Sequence, residues 1–415
     1  MRYGALALGA LLGASSLPTL AAAQVSPRSM LQGATPRTIS LEARTTTDYN
    51  SNVSRTNSTG ASLTGVSPGD TTITPSVTAD IIQPIGRQAV FLNGSISYRF
   101  HDKNKQLDSS RINLDGGVGG SVGPCGAVLD GRYSRGRSEL TDITLDTTVQ
   151  NIRELKEVDV SVACTRPTGL GLLLSGGRRW GSSSLQQFAL SDSETTTGSA
   201  GISYGRPSLG SASVFTSYSK TDYPNRPTQT PGTSGFQTQA VGASYERQLG
   251  GRIKATGSIG FTQAKQTGPL VVGALPRARA NFSGVTYGGA LSYRASSRLF
   301  IEGDLQRQVS PTLISVGSYE IQTNYSLNAT YRLGTRLSLR GGGQHSKIDL
   351  NGAVFASGAP TLTNSRTDSG FASLTYKQSK RVSLSLGGGI DKRSSDNPLF
   401  NYTNNHVSLS IAVTY

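Results

Sequence analysis

Three histidines, two cysteines and one glycine-rich run are the residues here whose type could carry catalysis, metal binding or nucleotide binding. His101, His345 and His406 stand far apart, and none has a metal-ligand spacing. Cys125 and Cys164 are too few for an all-cysteine zinc site. A serine or aspartate working with His406 is the one conceivable hydrolytic arrangement. No nucleophile, base and orienting group can be named around it. The run Arg111–Gly126 reads RINLDGGVGGSVGPCG. A phosphate-cradling glycine loop needs a strand before it and a helix after it, and alternation instead continues through this run. The sequence therefore predicts no enzyme, no cofactor and no metal.

The elements that would hold these residues are strands. Charged residues are 16% of the 415-residue chain, against about 25% in ordinary soluble proteins. The 50 glycines argue against helices, because each interior glycine costs a helix about 1 kcal/mol. They follow no three-residue period, which excludes collagen. Sixteen Tyr and 11 Phe at regular positions exclude disorder. The class left is all-β. A net charge of +15 could suggest nucleic acid, but the first residues point to export. Arg2, the apolar stretch Tyr3–Leu17 and Ala21-Ala22-Ala23 match a signal peptide cleaved between Ala23 and Gln24. The expected division is a signal peptide at 1–23, a periplasmic tail at 24–37 and a barrel at 38–415. No later stretch approaches the roughly 20 apolar residues of a spanning helix. An exported chain that crosses a membrane without one must close into a barrel.

Period-two alternation supports that choice. Val407, Leu409, Ile411, Val413 and Tyr415 share one face of the final segment, with His406, Ser408, Ser410, Ala412 and Thr414 on the other. Val382–Ile390, Val90–Phe100 and Ile253–Phe261 repeat the pattern. Segments of about 10 residues, apolar on one side only, mark a transmembrane β-barrel. Short turns near 85–87, 123–126, 166–169, 206–208, 249–251, 295–297, 333–335 and 378–380 alternate with nine longer polar loops. These connections predict about 18 antiparallel strands in a closed transmembrane barrel, with short periplasmic turns and long extracellular loops. His406 is expected low on the last strand, away from the outer rim.

Aromatic residues recur at both ends of the strands. Tyr204, Tyr245, Tyr293, Tyr331, Tyr376 and Tyr415 each end a downward strand and are expected to form a periplasmic girdle. Phe100, Tyr133, Trp180, Tyr218 and Phe261 would form the outer one. Lumen-facing charges are mixed, Glu42, Asp80, Asp115, Asp159, Glu302 and Asp304 opposing Arg44, Arg99, Arg111, Arg132, Arg179 and Lys254. The basic excess gathers at the short turns: Arg87, Arg166, Arg206, Arg247, Arg252, Arg294, Arg298, Arg332, Arg336, Lys377, Lys380 and Arg381. Only Glu246 opposes this periplasmic collar. Cys125, in the turn before the fifth strand, and Cys164, ending the sixth, reach the same edge of neighbouring strands. In an oxidising periplasm they are expected to form a disulfide.

The long first loop beginning Thr47-Asp48-Tyr49-Asn50-Ser51-Asn52-Val53-Ser54-Arg55, the Gly123-Pro124-Cys125-Gly126 turn and the tyrosine-ended strands resemble the family known as putative β-barrel porin type 2. The likeness extends over most of the chain after the leader. It implies a Gram-negative outer-membrane location and a link to exopolysaccharide or capsule export. The C-terminal aromatic is similar to the signal read by the barrel assembly machinery. The expected function is therefore a channel for exopolysaccharide or capsular polysaccharide export. A general or anion-preferring diffusion porin and a non-conducting surface scaffold are the alternatives. Expected partners are outer-membrane lipid, the assembly machinery and an acidic polysaccharide or periplasmic export component, with no nucleic acid.

Overall fold

The computed structural model describes residues 37–138, 151–165, 168–226, 234–267, 271–272, 275–276, 281–312, 319–351 and 363–415. The expected leader, its cleavage site at Ala23 and Gln24, nearly all of the tail and Arg166 lie outside these residues.

Strands form where the sequence alternates. The first are β1 (Thr38–Asn50), β2 (Asp70–Ile85), β3 (Gln88–His101), β4 (Ser109–Val122), β5 (Cys125–Arg137) and β6 (Ile152–Cys164). There follow β7 (Gly169–Ser183), β8 (Ser193–Arg206), β9 (Gly210–Tyr223), β10 (Ser234–Leu249) and β11 (Ile253–Thr267). A two-residue pairing of β12 (Val271–Val272) with β13 (Leu275–Pro276) sits in the next connection, apart from the main sheet. The wall resumes with β14 (Asn281–Arg294), β15 (Leu299–Pro311), β16 (Tyr319–Arg332) and β17 (Leu337–Asn351). It ends with β18 (Asn364–Lys377), β19 (Val382–Ser395) and β20 (Tyr402–Thr414).

Each wall strand pairs antiparallel with the next, and β1 closes on β20 from Glu42 opposite Thr414 to Asn50 opposite His406. The molecule is thus a closed 18-stranded antiparallel barrel. Following the register once around the sheet returns to β1 displaced by about 22 residues. With ordinary strand spacings, that stagger sets a tilt of about 40° and a backbone diameter of about 36 Å. One side-chain layer on each wall leaves about 26 Å of bore.

The outer wall is apolar and exposed. Ile39 and Leu41 on β1, Leu170, Leu172 and Leu174 on β7, and Val407, Leu409 and Ile411 on β20 all project outward. A closed wall satisfies every strand's backbone groups within the sheet, which lets such a surface face hydrocarbon. Among the described residues no helix is long and apolar enough to cross a membrane. Seven of the eight short turns lie within the described residues and fall where the sequence places them. Gly250 and Gly251, both at positive φ (54° and 67°), turn β10 into β11 with a backbone that side chains other than glycine rarely adopt.

At the other end described long connections pack on one another. A short helix, Ser58–Thr64, is capped by the Asn57 side chain, which accepts from the Gly60 amide at 2.8 Å. The Asn57 amide donates to the Leu399 carbonyl at 3.1 Å, and its side chain donates to Pro398 at 3.0 Å. Phe400 is fully buried beneath this contact, so the first and last outer loops form one unit.

Candidate functional site: the barrel lumen

Side chains on the inward parity of each strand make the lumen, and they fall into distinct sectors. On β4–β7 the wall is charged. Arg132 stands among four carboxylates, 3.1 Å from Asp130, 3.7 Å from Glu157, 3.9 Å from Asp159 and 4.0 Å from Asp115. Arg179 donates to Glu157 at 2.7 Å. Gly177 leaves room for this network, since a Cβ there would lie 1.9 Å from an Asp159 carboxylate oxygen. On β1, Arg44 pairs with Glu42 at 2.9 Å. Acids and bases are thus interspersed, as the sequence suggests, one to one on β1 but with four carboxylates to two arginines on β4–β7.

From β7 to β15 the wall is hydroxylated instead. A cavity of about 470 Å³ is lined by Ser175, Ser199, Ser217, Thr238, Ser258 and Thr286, together with Asp304, Gln306, Arg307 and Gln308 and the apolar Phe215, Leu305 and Val309. Hydroxyls bond along the wall, Ser175 to Ser199 at 2.6 Å, Ser213 to Ser244 at 2.6 Å and Thr262 to Thr286 at 2.7 Å. Such groups donate and accept equally well and carry no net charge.

Toward the outer end the sector changes again. Tyr223, Phe236, Ala264, Tyr319 and Ile321 form a buried apolar cluster, against which Phe282 and Val309 pack. Arg226 covers the Tyr223 ring at 3.5 Å and donates to the Leu190 carbonyl at 2.8 Å. None of these residues stands out in the sequence as functional. The available signal was an aromatic on the polar parity of three strands: Tyr223, Phe236 and Phe282.

The remaining sequence candidates have definite places. Cys125 and Cys164 lie opposite one another in the β5–β6 register and are joined as a disulfide, with Cα atoms 4.0 Å apart. Tyr204, Tyr245, Tyr293, Tyr331, Tyr376 and Tyr415 are all exposed on the outer face at the turn end. Tyr204 and Tyr245 face the same residue of β9, Ala212. Tyr293 and Tyr331 flank β15 two residues apart, at Ile301 and Leu299, a step that compensates for strand tilt. Phe100, Tyr218 and Phe261 are exposed near the opposite end, and Tyr133 and Trp180 flank Lys156 from either side. Arg87, Arg206, Arg252, Arg294, Arg298, Arg332, Arg336, Lys377, Lys380 and Arg381 are exposed at the turns, with Arg247 partly covered. Glu246 is paired with Lys254 at 3.2 Å rather than with the collar.

The histidines are dispersed. His101 lies 3.3 Å from Asp108, and His345 lies 2.6 Å from Asp368 while stacking on Tyr325. His406 is not low on its strand as expected. It faces Asn50 and Gly389 in the outer half of the barrel, because β20 begins at Tyr402. Its nearest acid is Asp391 at 3.7 Å, and no hydroxyl is bonded to its ring among the described residues. Among those residues no group of three or more His, Cys, Asp or Glu could hold a metal ion.

A closed barrel with an apolar outer wall and a polar interior defines the class: a porin-like outer-membrane β-barrel. Residues 276–415, the last third of the chain, match the family described as Putative beta-barrel porin 2. The Thr47–Arg55 segment and the Gly123–Gly126 turn lie outside that match, which is narrower than the resemblance implied. No curated protein matches the sequence significantly. Solved structures similar to it include OccK2 (OpdF) of Pseudomonas aeruginosa in complex with glucuronate, at 13% identity and a TM-score of 0.45, covering 91% of this chain and 98% of that one. A BenF-like porin from Pseudomonas fluorescens Pf-5 aligns at 12% identity and a TM-score of 0.47, covering 92% and 99%. The FrpB iron transporter of Neisseria meningitidis aligns at 8% identity and 0.43, covering 94% and 83%.

Proposed function

We propose that this barrel is a passive diffusion channel for small hydrophilic solutes. The observation that carries the reading is the hydroxyl-rich cavity from β7 to β15, which presents donors and acceptors beside a few apolar side chains, with one acid, Asp304, and one base, Arg307, in its lining. The charged sector on β4–β7 sets four carboxylates against Arg132 and Arg179, an excess of acid that works against an anion-selective porin and favours a general one. Among the described residues no lumen side chain favours export of a polysaccharide, and the outward-facing part of the basic collar has a simpler role at head-group depth, where arginine and lysine snorkel toward phosphate. On this reading the two aromatic rows anchor the barrel in outer-membrane lipid, and Tyr415 contributes to recognition by the assembly machinery. A leader cleaved after Ala23 would deliver the chain to that machinery.

Purified protein in planar bilayers, together with sugar-swelling of loaded liposomes, tests the proposal. Stepwise conductance and swelling by small neutral sugars are expected. A folded barrel that neither conducts nor admits sugars would overturn it in favour of a surface scaffold. Passage of an anionic polymer with exclusion of small sugars would restore the export reading.

A further inference from the structure

The apolar cluster at the outer end joins surfaces that a simple cylinder would keep apart. On β9, β10, β11 and β14 the lumen-facing residues are Tyr223, Phe236, Ala264 and Phe282, since their neighbours Tyr218, Val241, Phe261 and Val285 are exposed outside. On β15 and β16 the parity is the reverse. Leu305, Tyr325 and Leu327 are exposed outside, so Val309, Tyr319 and Ile321 also belong to the outward face of their strands. Yet Tyr319 is 1% exposed, and its ring centroid is 5.7 Å from that of Phe236. The Thr312 amide donates to the Tyr223 hydroxyl at 3.2 Å. Outward faces of one pair of strands are thus pressed on inward faces of others.

The ladder shows where this departure begins. β11 and β14 stay paired up to Lys265 and Asn281, but β14 and β15 part after Tyr287 and Arg307. β15 and β16 remain paired with each other as far as Pro311 and Tyr319. Beyond Arg307 the wall is open on one side only: β15 parts from β14, while β16 stays paired with β17 as far as Tyr319 and Asn351. The outer ends of β15 and β16 therefore curl inward from that seam, with β17 as their hinge side. Their other face carries a bonded row: Gln306 donates to Gln308 at 2.5 Å, Gln308 to Gln322 at 3.5 Å, and Gln322 to Glu320. Arg153 on β6 lies within electrostatic reach of Glu320 and Tyr223, so the row comes near the charged side of the barrel. Gly284 permits the arrangement, because a Cβ there would lie 2.8 Å from the Phe282 ring.

We propose that the outer ends of β15 and β16 form a hatch folded into the lumen, and that this hatch, with Glu320 and its glutamines on the face turned away from the apolar cluster, sets the size limit of the channel. The proposal rests on the diffusion-channel reading for its function but not for its geometry. Burial of Tyr319 and Ile321 against four wall strands holds the hatch by removing their apolar surface from water.

Geometry and function are tested separately. In a plain cylinder Ala264 and Ile321 lie three strand spacings apart, about 14 Å, on opposite sides of the wall. Ala264→Cys is paired in turn with Ile321→Cys and with Tyr319→Cys, and protein isolated from the outer membrane is mapped for disulfides without reduction. At least one pair should close, as Cys125 and Cys164 do. If neither pair closes in a heat-modifiable, folded barrel, the hatch is not inside the lumen. Release by Tyr319→Ser with Ile321→Ser should then give a several-fold rise in single-channel conductance and admit larger sugars, whereas the cross-linked barrel keeps the wild-type conductance. Wild-type conductance in the released variant would overturn the size-limiting role. A closed cross-link in a barrel that never conducts would keep the hatch geometry and overturn the channel.

Discussion

Arg132 is the single cation on which the charged sector turns. Four carboxylates lie within 4.0 Å of its guanidinium, and among the described residues Arg179 alone shares the load within ion-pair distance, through Glu157. Arg132→Gln keeps a hydrogen-bonding side chain but leaves like charges facing one another in the lumen. The expected outcome is a shift of reversal potential toward cations in a salt gradient, with stability falling by no more than about 1 kcal/mol because the side chain is one-third exposed. Unchanged selectivity would mean that the solute path runs along the hydroxylated sector alone. Cys125 and Cys164 act on stability instead. Their bond spans 39 residues, and closing a loop of that length restrains the unfolded chain by up to about 4 kcal/mol. Replacing both with serine should lower the denaturation midpoint of the folded barrel. It should leave conductance unchanged, because the bond lies at the turn edge of β5 and β6.

At the scale of the strand, glycine decides which neighbours can approach. Gly117 on β4 faces the lumen, where an added Cβ would lie 2.3 Å from the Leu129 carbonyl and 2.9 Å from the Phe91 ring. Gly117→Val should therefore cost about 1–3 kcal/mol by overpacking and reduce the yield of folded barrel. A wild-type yield and midpoint would show that β4 can shift outward without cost. Strands were legible in the sequence because one face of each meets lipid and the other water, a contrast that period two records directly. Length was less legible. β20 was read from His406, but polar Thr403, Asn404 and Asn405 extend it above the apolar band with no alternation to show it. Alternation thus gave the side His406 faces and not its height. The hatch was legible only as an anomaly, aromatics on the wet face of β9, β10 and β14. Its partners lie on β16, and no local pattern reports that the wall parts between β14 and β15 and curls inward there.

Charge across the whole molecule is polarised toward the turn end, and parity divides the collar into two populations. Arg294, Arg332 and Lys377 take the lumen-facing register of β14, β16 and β18, whereas Arg206 and Arg247 take the outward register of β8 and β10. The first group can act on solutes and the second on lipid head groups. At 0.1 M salt the screening length is about 10 Å, so cations on the rim of a bore about 26 Å wide cover much of its mouth. At 1 M it falls to about 3 Å, and the same charges reach only the water beside them. Changing Arg294, Arg332 and Lys377 together to Gln should therefore lower the anion-to-cation permeability ratio at 0.1 M salt and leave it unchanged at 1 M. Arg206→Gln with Arg247→Gln should leave selectivity alone at both concentrations while weakening retention in anionic membranes. Equal shifts at both salt concentrations would place the selective charge deeper than the mouth, in the sector around Arg132. A selectivity change from the outward pair alone would reverse the assignment of lumen and lipid to the two registers.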